Sequence, residues 1–79
     1  MNLTQKQRIV LLSLTNEWQT PLQIANQLSK ASENLSDVQQ ALKDLLNKGL
    51  VQINPVFFGL YRLTTDGKTL KDVELSKSQ

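Results

Sequence analysis

Residues 38–63 read VQQALKDLLNKGLVQINPVFFGLYRL, and this stretch decides the fold. Val38, Leu42, Leu45 and Leu46 recur at the spacing of an α-helix, about 3.6 residues per turn, with polar residues between them. The run stops at Lys48-Gly49, and a glycine just past a periodic run is a helix stop because it turns into left-handed backbone without steric cost. Two short β-prone segments follow, 50–54 and 60–63, with Pro55 and Gly59 between them. Alternation puts Val51 and Ile53 on one face and Gln52 and Asn54 on the other, and Tyr61 and Leu63 pair with Arg62 outward in the same manner. Pro55 has no N–H to give a ladder, so it belongs at the tip. The pattern is an amphipathic helix, ended by glycine, that feeds a small hairpin.

Working outward, two more helices precede this unit. Thr4 opens the first, and Gln7 stands three residues on, the spacing at which each side chain satisfies a free amide at the other's position. Leu3, Val10, Leu11, Leu14 and Trp18 fall on one side of that helix, which ends at Thr15-Asn16 with Trp18 capping the core from the loop. Thr20-Pro21 starts the second helix and Gln23 completes another capping box; Leu22, Ala25 and Leu28 share a face with Ile24 beside it. Residues 29–35 read as a polar turn. Ser36 then caps the third helix, with Gln39 three positions on. After the hairpin, Thr64 or Thr65 opens a last short helix carrying Leu70 and Val73, frayed by Gly67 and by a polar end.

Seventy-nine residues make one domain, 1–79, with a core over about 4–71 and a frayed tail at 74–79. A chain this size buries only about 60–65% of its unfolded surface, so the core is thin. With 39% apolar residues it folds without a staple, and the absence of cysteine excludes a disulfide framework or a thiolate site. There is no signal-peptide h-region and no segment of transmembrane length, which together with the cysteine count suits a soluble, cytoplasmic protein and no membrane partner. Nine basic and seven acidic residues give a net charge of +2, a slight lean toward polyanions that ordinary surface charge explains equally well.

The string TPLQIANQL…VQQALKDLLNKGLV…GLYRLTTDGKTL resembles the winged helix-turn-helix superfamily of prokaryotic transcription regulators, closest in flavour to the MarR, ArsR and PadR groups. The residues that carry it are Thr20-Pro21, Ile24-Ala25, Leu28, Val38, Leu42, Leu45, Gly49-Leu50-Val51, Tyr61, Leu63-Thr64 and Asp66-Gly67. The resemblance implies a mainly α fold with a small β-hairpin: a three-helix core, a two-stranded wing and a short C-terminal helix. Two features depart from it. The turn before the third helix is about three residues longer than is common. The wing tip is Val56-Phe57-Phe58 where such wings usually carry arginine or lysine, which weakens the inference that the wing binds DNA.

The resemblance also implies a partner, duplex DNA. In a helix-turn-helix the N-terminal part of the third helix enters the major groove. With Val38, Leu42 and Leu45 inward, the opposite side shows Ser36, Gln40, Lys43, Asp44 and Asn47, flanked by Asp37 and Gln39. Gln and Asn can bond adenine bidentately and Lys reaches guanine or phosphate, so Gln39, Gln40 and Lys43 are the base-reading candidates, with Asn47 on the same face. Ser36 and the helix start could hold a phosphate, and Lys30, Thr20, Gln23 and Arg62 become backbone contacts in the same pose. Asp37 and Asp44 would repel a DNA backbone and favour an ordinary solvated face.

Two apolar features lie outside this scheme. Phe57 and Phe58 either fold a ring onto the core or make an exposed aromatic knob. Ile9 and Leu12 lie opposite the core arc of the first helix and need a cover: Leu70 and Val73 of the last helix, the same surface of a second subunit, or both in a homodimer. No histidine, no cysteine and no glycine-rich phosphate loop is present, so no catalytic or metal site, no cofactor and no small-molecule ligand is expected. Two readings stand: a small, dimeric, sequence-specific DNA-binding regulator of a prokaryote or phage, and a winged-helix protein–protein interaction module that binds no DNA.

Overall fold

A computed structural model of the chain describes residues 3–28 and 34–77. The elements run α1 (Gln5–Ser13), α2 (Pro21–Gln27), α3 (Leu35–Asn47), β1 (Val51–Ile53), β2 (Tyr61–Leu63) and α4 (Thr65–Lys77). This is the winged-helix arrangement expected: helices around one core, a two-stranded hairpin and a closing helix.

Two of the three expected capping boxes form. Thr4 Oγ1 accepts from the Gln7 N–H and Gln7 Oε1 from the Thr4 N–H, both at 3.1 Å. Thr20 and Gln23 repeat the exchange at 3.1 and 2.8 Å, with Pro21 at the first helical position. The third is a correction. Asn34, not Ser36, caps α3: its Oδ1 accepts from the Asp37 N–H at 2.9 Å, which moves Leu35 and Ser36 inside the helix. Both residue types cap well, and the extended backbone falls at Asn34. α1 also stops earlier than expected, with Leu14 as its C-cap.

α3 ends as its sequence predicts. Gly49, at φ +75°, lets its own N–H reach the Leu46 carbonyl and the Leu50 N–H reach the Leu45 carbonyl, each at 3.0 Å. The chain then enters β1, which pairs antiparallel with β2 in the register Val51 with Leu63, Gln52 with Arg62 and Ile53 with Tyr61. A third segment joins this hairpin, one that alternation did not reveal: Gln19 bridges Tyr61 with N–H···O bonds of 2.9 and 2.8 Å.

Val10, Leu11 and Leu14 of the α1 region meet Ile24 and Ala25 of α2, Val38, Ala41, Leu42 and Leu45 of α3, and Leu50, Val51 and Leu63 of the hairpin in one buried cluster. Leu3, Leu28, Tyr61 and Leu70 pack on its margin. Three residues depart from expectation. Leu22 is exposed, because it sits about 160° around a short helix from the buried Ile24. Trp18 is only half-buried and lies under Arg62 instead of closing the core. Gly67 does not fray α4. It is buried where α4 crosses the hairpin, and a Cβ there would collide with the Leu50 carbonyl. Thr64 opens α4 by accepting from the Gly67 N–H at 3.0 Å while donating to the Gly49 carbonyl at 2.7 Å. The helix stays regular through Lys77 and buries Glu74, so the tail expected to fray from residue 74 is helical as far as it is described.

Candidate nucleic-acid interface

α3 packs on α1, α2 and β1 through Val38, Ala41, Leu42 and Leu45, which leaves the opposite side of the helix open. Each residue advances the helix by about 100°, so Ser36, Lys43 and Asn47 lie within about 40° of one another on that open side. Gln39 and Gln40 flank them, and all five are exposed. Ser36, Gln39, Gln40 and Lys43 have the i, i+3, i+4, i+7 spacing with which a homeodomain's third helix reads the major groove.

The two carboxylates that argued against DNA lie at the border of this face, and both have partners. Asp37 and Asp44 lie about 80–100° around the helix, on the flank covered by α1. Lys6 Nζ sits 3.1 Å from Asp37 Oδ1. Asp44 accepts twice, at Oδ2 from Gln7 Nε2 and at Oδ1 from Gln40 Nε2, both at 3.1 Å. Such a surface ion pair adds little stability, yet it neutralises the charge locally, and the bond from Gln7 ties Asp44 to α1 while the bond from Gln40 ties it to the edge of the open face. Gln7 thus does two jobs. It completes the α1 cap with its oxygen and orients Asp44 with its nitrogen. Sequence spacing found the first job and missed the second. The bond to Asp44 also occupies one amide N–H of Gln40, so Gln39 is the freer glutamine.

The expected backbone contacts do not assemble equally. Thr20 and Gln23 stand at the start of α2, each engaged with the other's backbone N–H, with Gln23 exposed. Lys30 lies outside the described residues. Arg62 is half-buried and stacked, its guanidinium carbon 4.3 Å from the centre of the Trp18 ring. It is therefore held against the outer face of the sheet.

The apolar candidates also divide. Val56, Phe57 and Phe58 are 73, 66 and 82% exposed, so neither ring folds back onto the core. The tip is nonetheless ordered by Asn54, whose Oδ1 accepts from the Val56 and Phe57 N–H groups at 2.8 and 2.9 Å. Ile9 and Leu12 are half-buried. α4 lies along α1, and polar contacts join the two regions: Arg8 Nε to Glu74 Oε2 at 3.7 Å, and Lys71 Nζ donating to the Leu14 carbonyl at 2.7 Å. Leu70 packs on the core margin, while Val73 and Leu75 remain 45 and 46% exposed on opposite flanks of α4. The buried Glu74 and the exposed Leu75 had no signal in periodicity, because α4 lacks a clean apolar stripe. Among the described residues no group of three or more His, Cys, Asp or Glu side chains is placed to hold a metal. No described helix is long and apolar enough to cross a membrane.

The architecture and this open helix face define a winged helix-turn-helix protein. Among solved structures the chain is similar to H. salinarum RosR grown from NaBr, at 28% sequence identity and a TM-score of 0.83, over 98% of this chain and 74% of that one. That likeness supports the winged-helix superfamily without singling out the MarR, ArsR or PadR groups. No family model matches the chain, and no curated protein matches it.

Proposed function

We propose that this chain is a transcription regulator, a binder rather than an enzyme, that docks the N-terminal half of α3 in the major groove of duplex DNA. The observation that carries the reading is the open α3 face, Ser36, Gln39, Gln40, Lys43 and Asn47, at whose border both nearby carboxylates are partnered. Gln39, Gln40 and Asn47 supply base-edge hydrogen bonds, Lys43 and Ser36 meet phosphate, and Thr20, Gln23 and Lys30 are further backbone contacts. Such a role places the protein in the cytoplasm of a prokaryote, with its whole length acting as one domain.

One lysine on the reading face is little charge for a DNA binder, so the active form is a homodimer. Ile9 and Leu12 of α1 with Leu70 and Val73 of α4 form its contact, and two-fold symmetry sets the two α3 helices about 34–36 Å apart, one turn of DNA. The test is an NMR titration with random duplex DNA at low salt. Amide shifts over residues 35–43 are the expected result, and shifts confined to α4 would reject the assignment. A specific observation favours a second reading: the exposed, ordered Val56-Phe57-Phe58 tip suits a protein partner. A chain that gives no shifts with any duplex, while the tip amides respond to a protein ligand, would select it.

A further inference from the structure

We infer that α3 reads A·T pairs, Gln39 taking an adenine and Leu35 the methyl group of an adjoining thymine; the inference rests on the DNA-binding reading above. The commonest specific contact in the major groove is a cationic side chain on guanine, Arg above all. α3 reads LSDVQQALKDLLN and has no arginine. Its one lysine, Lys43, stands eight residues from the helix start, about 12 Å along the axis and two turns beyond Leu35. Cytosine is read by a carboxylate that accepts from its amino group. Asp37 is held by Lys6, and Asp44 by Gln7 and Gln40, on the flank turned toward α1. The start of the helix therefore carries no cationic side chain for guanine and no unengaged carboxylate for cytosine, and Ser36, which can bond any base, sets no preference.

What remains there is an A·T set. Gln39 is exposed and offers both an acceptor for adenine N6 and a donor for N7. Leu35 is the first residue of α3 and is 39% exposed, an aliphatic group at the end of the helix that enters the groove. The two are four residues apart, hence neighbours on one edge with Cβ atoms about 5–6 Å from each other. That separation lets them address consecutive base pairs, whose rise is about 3.4 Å. Leu35 became part of the reading edge because the cap falls on Asn34.

The experiment selects sites for the full chain from a random duplex library at low salt, then replaces bases in the selected site. Selected sites are expected to be fixed by adenine and thymine. Replacing the read thymine by deoxyuridine, which deletes only the methyl, should lower affinity about fourfold, the weight of one buried methyl-sized group. Removing N7 of the read adenine should lower it about 5- to 150-fold. Leu35→Ala should bind the thymine and uracil sites equally, Leu35→Met should keep the discrimination, and Gln39→Ala should become indifferent to the adenine change, all with unchanged helix content. Sites fixed by guanine, or wild-type protein indifferent to the methyl, overturn the inference while leaving DNA binding intact. Binding with no sequence preference does the same. No binding to any duplex overturns both.

Discussion

Replacing Gly67 by alanine tests the crossing of α4 over the hairpin. In an exposed helix interior this change stabilises by about 1 kcal/mol, because glycine spends more backbone entropy than alanine on ordering. Gly67 has no left-handed φ to defend, so that gain is available in principle. The new Cβ, however, would overlap the Leu50 carbonyl oxygen and stand 3.2 Å from Leu63 Cδ2. Leu50 cannot simply yield. Its carbonyl accepts the Thr64 N–H at 3.1 Å, and its N–H closes the end of α3 at 3.0 Å. α4 must instead move outward. Overpacking of this kind costs about 1–3 kcal/mol, and a weakened Thr64 hydrogen bond about 0.5–1.5 kcal/mol more. Set against the propensity gain, the net loss is about 2 kcal/mol. With a urea slope of about 1 kcal/mol per molar, suited to a small domain, the unfolding midpoint should fall by about 2 M. Equilibrium unfolding followed by circular dichroism measures it. A midpoint that stays put or rises would refute the close approach and restore Gly67 to the role of a weak point in a frayed helix.

Lys43→Glu should weaken binding by a similar factor at every duplex sequence tested, and lower the slope of log affinity against log salt by about one or more, as anisotropy titrations would reveal. Asp44→Ala strands the buried Gln7 amide and should destabilise the fold by about 1–3 kcal/mol without weakening DNA binding by the folded fraction; weaker binding would mean that Asp44 belongs to the interface after all. Arg62→Ala should change the emission of the single tryptophan, Trp18, and reduce the salt slope by about one unit or less, whereas a fall of several units would put the wing on the phosphates. Ile9→Glu with Leu12→Glu should yield a folded monomer with much weaker DNA binding; sedimentation that shows the unmodified protein monomeric at near-millimolar concentration, or a double mutant that unfolds, would end the dimer proposal.

What could be read from the sequence was local. The Thr4–Gln7 and Thr20–Gln23 boxes, the Gly49 stop and the two short strands each depend on residues a few positions apart, and each formed where the spacing put it. Asn34 and Ser36 are equivalent capping types two positions apart, so sequence alone could not choose between them, and the choice decided whether Leu35 lay in the turn or on the helix. A helical wheel also shows which residues oppose the core but not which flank a neighbouring helix covers. Hence Asp37 and Asp44 read as obstacles on an open face until α1 was seen beside them. Gly67 and Gln19 are of the same kind: one matters through a close approach to Leu50 and the other through a bridge to Tyr61, and both are contacts between distant parts of the chain.

The bridge at Gln19 has a mechanical consequence. Its two hydrogen bonds to Tyr61 end one peptide before Thr20, the residue that caps α2, and α2 is packed on α3. The hairpin is thereby riveted to the helices at its second strand as well as at its root. It behaves as a fixed fin, not as a flap that swings to meet what it touches. The span from the aromatic tip to the α3 surface is set when the chain folds. A partner that touches both must match a ruler of constant length, and a partner that reaches only one gains nothing from the other.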